Sequence, residues 1–243
     1  MLGSTRNCLI VGISGATCSG KTTLANAFHK VIPNSIALNQ DQFYWNEDSE
    51  NHTLADGFNH INWELVSAFD NAGIVSEIES LTSKSLPLKE PSVDYANVSK
   101  QFETLTDEAK NSETNDILFK DVDGSDHVVE KMRNLFSFLP RIIILDGILI
   151  FNHPELLKIC DLKFFFTLDY KACLERRNLR SYDPPDVPGY FENIVYPYYV
   201  KNLEDMKKLD CKKEIVYLNG ANDMSSNFKT IGLSIIEDVK AIT

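Results

Sequence analysis

The sequence predicts a three-layer α/β fold, a central and mostly parallel five-stranded sheet with helices on both faces. Five short runs, residues 8–13, 35–38, 141–146, 163–168 and 214–218, are almost continuously apolar and rich in Ile, Val and Phe. Strands buried on both faces read this way. Longer amphipathic stretches alternate with them at 21–31, 63–71, 170–180, 191–209 and 227–241, and these are read as helices. Such alternation is the pattern of a layered α/β sheet. With 243 residues, 43% of them hydrophobic, the chain can fill one substantial core, so a single domain over 1–243 is expected.

Each element then carries its own expectation. Pro197 lies inside the fourth helical stretch and predicts a kink or break there. The stretch from about 80 to 132 is polar and acidic, with Pro87, Pro91 and Gly124. It reads as an insertion, partly disordered, with short helices and little apolar surface to bury.

The net charge of −11 argues against a general affinity for nucleic acid or an anionic membrane. Residues 1–7 are too short and polar for a signal peptide, and no apolar run approaches the roughly 20 residues needed to span a bilayer. Five scattered cysteines (Cys8, Cys18, Cys160, Cys173, Cys211), with no C-x-x-C spacing, fit reduced thiols in the cytoplasm or nucleus. A polyanionic ligand therefore needs a local cluster of cations.

The first apolar run leads into Gly15-Ala16-Thr17-Cys18-Ser19-Gly20-Lys21-Thr22, followed by Thr23, a complete G-x-x-x-x-G-K-[ST] match with a strand before it and a helix after it. In such a P-loop, successive backbone N–H groups turn inward onto phosphate oxygens, and the helix adds its positive dipole end. Lys21 is expected on the β- and γ-phosphates of ATP, and the Thr22 hydroxyl on Mg²⁺.

The second strand runs into Asp41-Gln42-Phe43-Tyr44. At the C-terminal edge of a parallel strand, Asp41 can take the proton of an attacking hydroxyl and reach the Mg²⁺ shell, or it can simply cap the next turn. Phe43 and Tyr44 can stack on a flat ring or belong to the core. Asn62-Trp63-Glu64 opens the second helical stretch. It offers an indole and a carboxylate together, suited to the base and vicinal hydroxyls of a nucleoside, or an N-cap with a buried Trp. The third strand ends in Asp146-Gly147, either a Walker-B carboxylate for Mg²⁺ or a plain turn.

The required cations come after the fourth strand, as Arg176, Arg177 and Arg180. On one helix Arg180 would sit beside both others. Arginine forks bind phosphate, although a helix of surface salt bridges is the plainer alternative. The prolines and glycine of 181–191 then make a stiff, hinged lid, over about 176–191 in all.

Taken together, the sequence resembles the nicotinamide riboside kinases, within the wider group of P-loop nucleoside kinases. The most telling part is Tyr182-x-Pro184-Pro185-Asp186-x-Pro188-Gly189-Tyr190-Phe191. The P-loop and Asp41-x-Phe43-Tyr44 are shared with the uridine–cytidine kinases. The resemblance covers most of the chain outside the insertion. It implies ATP and Mg²⁺ as cofactors and transfer to the ribose 5′-hydroxyl of a small nucleoside, with Asp41 as proton acceptor and Lys21 and Arg176 assisting. It further implies that Arg176, Arg180, Tyr182 and Asn222-Asp223-Met224 line the ATP side. Phe43, Tyr44, Trp63, Glu64, Arg177, Tyr182 and Asp183 would line the substrate side. Thr22, Asp41 and Asp146 would attend the metal. Glu64 stands where family members carry Asp, Trp63 where some carry Tyr, and Asp183 where some carry Gln. A P-loop kinase for uridine/cytidine, pantothenate or another small metabolite, or a nucleotide-binding regulator without turnover, are the alternatives. The choice between nicotinamide and nicotinic acid riboside, and the oligomeric state, are left open.

Overall fold

The computed structural model describes residues 8–83, 93–111, 118–119 and 127–242. Five strands form one sheet, β1 (Cys8–Gly15), β2 (Ser35–Asn39), β3 (Arg141–Asp146), β4 (Leu162–Thr167) and β5 (Ile215–Asn219). Their order is β2-β3-β1-β4-β5, and every neighbouring pair is parallel. The predicted five-stranded parallel sheet is the one observed. β1 is central, flanked by β3 and β4, so the chain's connections diverge to either side of its C-terminal end. Ligands collect at such switch points.

Eight α-helices complete the layers among the described residues: α1 (Lys21–Val31), α2 (Asn71–Ser83), α3 (Tyr95–Asn111), α4 (His127–Leu135), α5 (Pro154–Ile159), α6 (Tyr170–Arg177), α7 (Tyr196–Leu209) and α8 (Met224–Ile242). Alternation along the strands sends Leu9, Val11 and Ile13 of β1 to the core beneath α1, α3, α4 and α8. Ile10 faces the opposite core with Ile74 of α2, Leu156 of α5 and Met206 of α7. No described helix is long and apolar enough to cross a membrane.

Four expectations about elements are corrected. The helix predicted over 63–71 is absent. That stretch is irregular, with one 3₁₀ turn at Val66–Ala68, and the helix begins at Asn71. Asn62 Oδ1 accepts the Glu64 N–H at 3.1 Å in a local turn, and Tyr44 and Phe69 pair as an antiparallel bridge. Both hold the backbone out of a helix. Asp70 marks the true start, its Oδ1 accepting the Gly73 N–H at 2.9 Å.

The helix predicted over 170–180 stops at Arg177, so Arg180 follows in a turn and does not share a helical face with the other two arginines. The kink or break expected near Pro197 is instead a change of helix type, with the backbone helical throughout. A π-turn at Phe191–Val195 passes into α7, with Pro197 in its first turn, where its missing N–H is tolerated.

The fourth correction concerns the stretch 80–132, part of which (84–92, 112–117, 120–126) lies outside the described residues. Where described, it does bury apolar surface. Val98, Phe102, Leu105 and Ala109 form a buried stripe on α3, and Val129 and Met132 of α4 are fully buried. The Phe102 ring lies 5.2 Å from Phe136 and 5.6 Å from Phe228. Gly232 of α8 makes room for it, because a Cβ there would overlap the ring. The acidic average of the segment hides one strongly apolar helical face.

Candidate active site

The P-loop leaves β1 where the Ala16 N–H bonds the Phe166 carbonyl of β4 at 2.9 Å. Gly15, at φ 133°, lies so close to Phe166 that any Cβ would strike its backbone. Cys18 and Gly20 take left-handed backbone, φ 58° and 93°, and close the loop onto the N-terminus of α1, where Thr22 and Thr23 occupy the first turn. Lys21 is buried and its ammonium donates to the Ala16 carbonyl at 2.7 Å, folded across the loop. Burial pushes its pKa down, and Asp146 and Asp41 oppose that shift.

Asp146, at the end of β3, is 2% exposed and accepts the Thr22 hydroxyl at 2.6 Å. Burial raises its carboxyl, countered first by that hydrogen bond. Thr22 and Asp146, each expected at the metal, are thus in direct contact. Among the described residues no cluster of three His, Cys, Asp or Glu side chains could by itself enclose a metal. Mg²⁺ commonly needs only one or two carboxylates beside substrate phosphates, and Thr22, Asp146 and Asp41 meet that requirement.

Asp41 sits in a 3₁₀ turn, Gln40–Phe43, directly after β2. It does not cap that turn. Asn39 does, its Oδ1 accepting the Asp41 N–H at 2.7 Å, which leaves the Asp41 carboxylate free to face the cleft. The side chain is solvent-accessible, yet recessed enough that lost hydration raises its pKa. Lys21 and Arg180 act against that rise. Fully buried Gln40 accepts the Leu149 N–H at 3.0 Å, tying this turn to the segment after Asp146.

The acceptor wall is aromatic and irregular. Phe43 is half-buried and packs against the core beneath the sheet. Tyr44 stacks on Phe69 at 4.1 Å and meets Trp63 edge-on at 5.2 Å, and Trp63 in turn meets His52 at 4.9 Å. Glu64 is 7% exposed, and its carboxylate makes no hydrogen bond among the described residues. Burial lifts it to about 7, against the pull of Arg177. Tyr190 from the lid accepts the Trp63 N–H at 3.1 Å and donates to the Ile61 carbonyl at 3.0 Å, which fixes this segment.

The three arginines diverge. Arg176 staples the P-loop to the segment after β5, donating to the carbonyls of Cys18 at 3.2 Å and Gly220 at 2.9 Å. Arg177 is buried and grips Asp186 with two prongs, Nε to Oδ2 at 2.6 Å and Nη2 to Oδ1 at 2.9 Å. Arg180 is exposed and acts on Lys21 and Asp41 through space. Tyr182 lies under the Arg177 guanidinium at 4.2 Å and its hydroxyl is 3.4 Å from Cys18 Sγ. Asp183 is exposed on the lid and makes no hydrogen bond among the described residues.

On the far side, Asn222 lies in a turn after β5 and Met224 packs against Gly20. Asp223 caps α8 through the Ser226 N–H at 3.3 Å and pairs with Lys110 of α3 at 3.1 Å. Asp186, Tyr190 and Gln40 escaped the sequence reading as site residues. Only the spacing of Asp186 and Tyr190 within the proline-rich segment hinted at them.

No family model matches the chain. Nicotinamide riboside kinase 1 of Homo sapiens is 29% identical over 230 residues, covering 95% of this chain and 93% of that protein. The chain is a relative of the nicotinamide riboside kinases. Nicotinamide riboside kinase of Schizosaccharomyces pombe is 24% identical over 215 residues, 81% of this chain and 79% of its own. Uridine kinase of Ligilactobacillus salivarius is 25% identical over 209 residues, with 82% and 81% covered. This riboside-kinase relative is a phosphotransferase with an alcohol acceptor. Where the P-loop follows β1, its cleft holds the Lys21 ammonium and the Thr22 hydroxyl, the latter bonded to Asp146.

Proposed function

We propose that the protein transfers the γ-phosphoryl group of ATP to the ribose 5′-hydroxyl of nicotinamide riboside, giving ADP and the mononucleotide, a step of NAD⁺ salvage, with nicotinic acid riboside also accepted. One observation carries this reading. Beside the P-loop, the exposed Asp41 carboxylate lies near enough to Lys21 to feel its charge, while buried Glu64, within electrostatic reach of Tyr44 and Tyr190, has a carboxylate in want of donors. A ribose supplies those donors as two vicinal hydroxyls, and the aromatic wall supplies a face for its base.

In this reading Lys21 and the backbone of Gly15–Thr23 hold the phosphates, Arg176 and Arg180 neutralise their charge, and Asn222-Asp223-Met224 flank the adenine. Thr22, with Asp146 and Asp41, would hold Mg²⁺, which supplies charge neutralisation when bound. Asp41 accepts the 5′-hydroxyl proton as the oxygen bonds to the γ-phosphorus and the bond to the bridging oxygen of ADP breaks. Arg177, Tyr182 and Asp183 complete the acceptor side. The whole chain acts as one kinase domain in the cytoplasm or nucleus, with residues of about 80–132 as an insertion and 176–191 as lid.

Asp41→Ala is expected to lower kcat by about 10³-fold or more while leaving the affinity for an ATP analogue within about twofold. Near-normal turnover in that variant would remove Asp41 as the base. A uridine or cytidine kinase is the second reading, favoured by the uridine kinases among the relatives.

A further inference from the structure

Arg177 is the one cation of the lid helix that sits buried, with a side chain 8% exposed, and each of its three nitrogens makes a hydrogen bond. Nε and Nη2 are spent on Asp186, Nη1 rests 3.3 Å from the Thr17 hydroxyl of the P-loop, and the guanidinium face covers Tyr182. Tyr182 also touches the P-loop at Cys18. The other end of the same lid, Tyr190, is bonded to Ile61 and Trp63, next to Glu64. The lid thus spans from the phosphate loop to the acceptor wall, and Asp186 is the counter-charge that fixes its middle.

We propose that Asp186 is a positioning residue. By holding Arg177 in a two-pronged ion pair, it docks the lid on Thr17 and keeps the phosphate loop and the Trp63–Glu64 wall in register for transfer. It touches neither substrate and acts through Arg177. A planar guanidinium with two prongs on one carboxylate has its third corner fixed in direction, which a single hydrogen bond would not achieve. Small losses of alignment at a transfer site cost up to about 10²-fold in rate. The proposal rests on the kinase reading above.

The test is a double-mutant cycle joined to hydrogen exchange. Asp186→Asn is expected to lower kcat by about 10- to 100-fold with the affinity for an ATP analogue nearly unchanged, and Asp186→Glu to recover most of the loss. In an Arg177→Lys background the same Asp186→Asn change should cost less than about twofold more, because the partner it served is already impaired. Without any ligand, amides of residues 182–191 in Asp186→Asn should exchange at least about tenfold faster than in the natural protein. Fully independent effects in the cycle, or unaltered exchange in a variant that remains folded, would overturn the proposal. The exchange arm needs no acceptor, so it stands even if nicotinamide riboside is not phosphorylated. The cycle is then run on whichever nucleoside is turned over.

Discussion

The phosphate loop is a run of consecutive residues hung between a buried strand and a helix. The acceptor wall is gathered from Asp41, Tyr44, Trp63–Glu64 and a lid more than a hundred residues further along. On the donor side the backbone itself is the ligand-binding element, so β1, α1 and two glycines suffice to build it. On the acceptor side the backbone is irregular, and its shape is imposed by distant contacts such as Tyr190 on Trp63 and Asn202, whose side chain donates to the Glu64 carbonyl at 3.0 Å. Donor chemistry is therefore local in sequence, and acceptor selectivity is a property of tertiary packing.

If the two sides are built so differently, substitutions should separate them. Lys21→Ala should have the largest effect, lowering kcat/KM by about 10³-fold or more and weakening an ATP analogue measured by calorimetry. Unchanged nucleotide affinity would count against the donor side as described.

Next, Glu64→Gln should raise the acceptor KM by about 10- to 100-fold and leave nucleotide affinity alone. Glu64 also gives this side a pH signature. Its carboxyl is lifted from 4.5 to about 7, so as pH falls through about 7 it takes up a proton and loses its grip on hydroxyl donors. The acceptor KM should rise on the acid side of 7, and Glu64→Gln should flatten that limb. Stability moves in the opposite sense. The folded state favours the neutral form, so the Glu64 contribution improves as pH drops from about 7 toward 4.5 and is least favourable above 7. Melting curves across that window, compared with Glu64→Gln, check the sign.

The smallest effect belongs to Tyr190→Phe. Losing a hydroxyl that both accepts from Trp63 and donates to Ile61 should cost about 1–2 kcal/mol, read as a several-fold rise in acceptor KM with kcat little altered. An equal loss of nucleotide affinity would blur the comparison.

The same contrast governs what could be read from the sequence. Residues Gly15–Thr22, Asp41 and Asp146 were legible because each follows an apolar run at a spacing that sheet geometry fixes. The helix expected at 63–71 was not, because its apolar spacing competed with the Asn62 turn and the Tyr44–Phe69 bridge, and tertiary pairing won. In the acidic stretch the helical signal was present at Val98, Phe102, Leu105 and Ala109, but the average composition concealed it. The pairing of Arg177 with Asp186 was not legible, because the two are nine residues apart across a non-helical loop whose path no sequence spacing fixes.

The most direct test of the central claim is ADP release measured side by side with nicotinamide riboside, nicotinic acid riboside, uridine and cytidine at equal concentrations. The account predicts the highest kcat/KM for nicotinamide riboside, a measurable rate for nicotinic acid riboside, and values at least about tenfold lower for uridine and cytidine. Preference for uridine or cytidine, or ATP binding without turnover of any of the four, would contradict it.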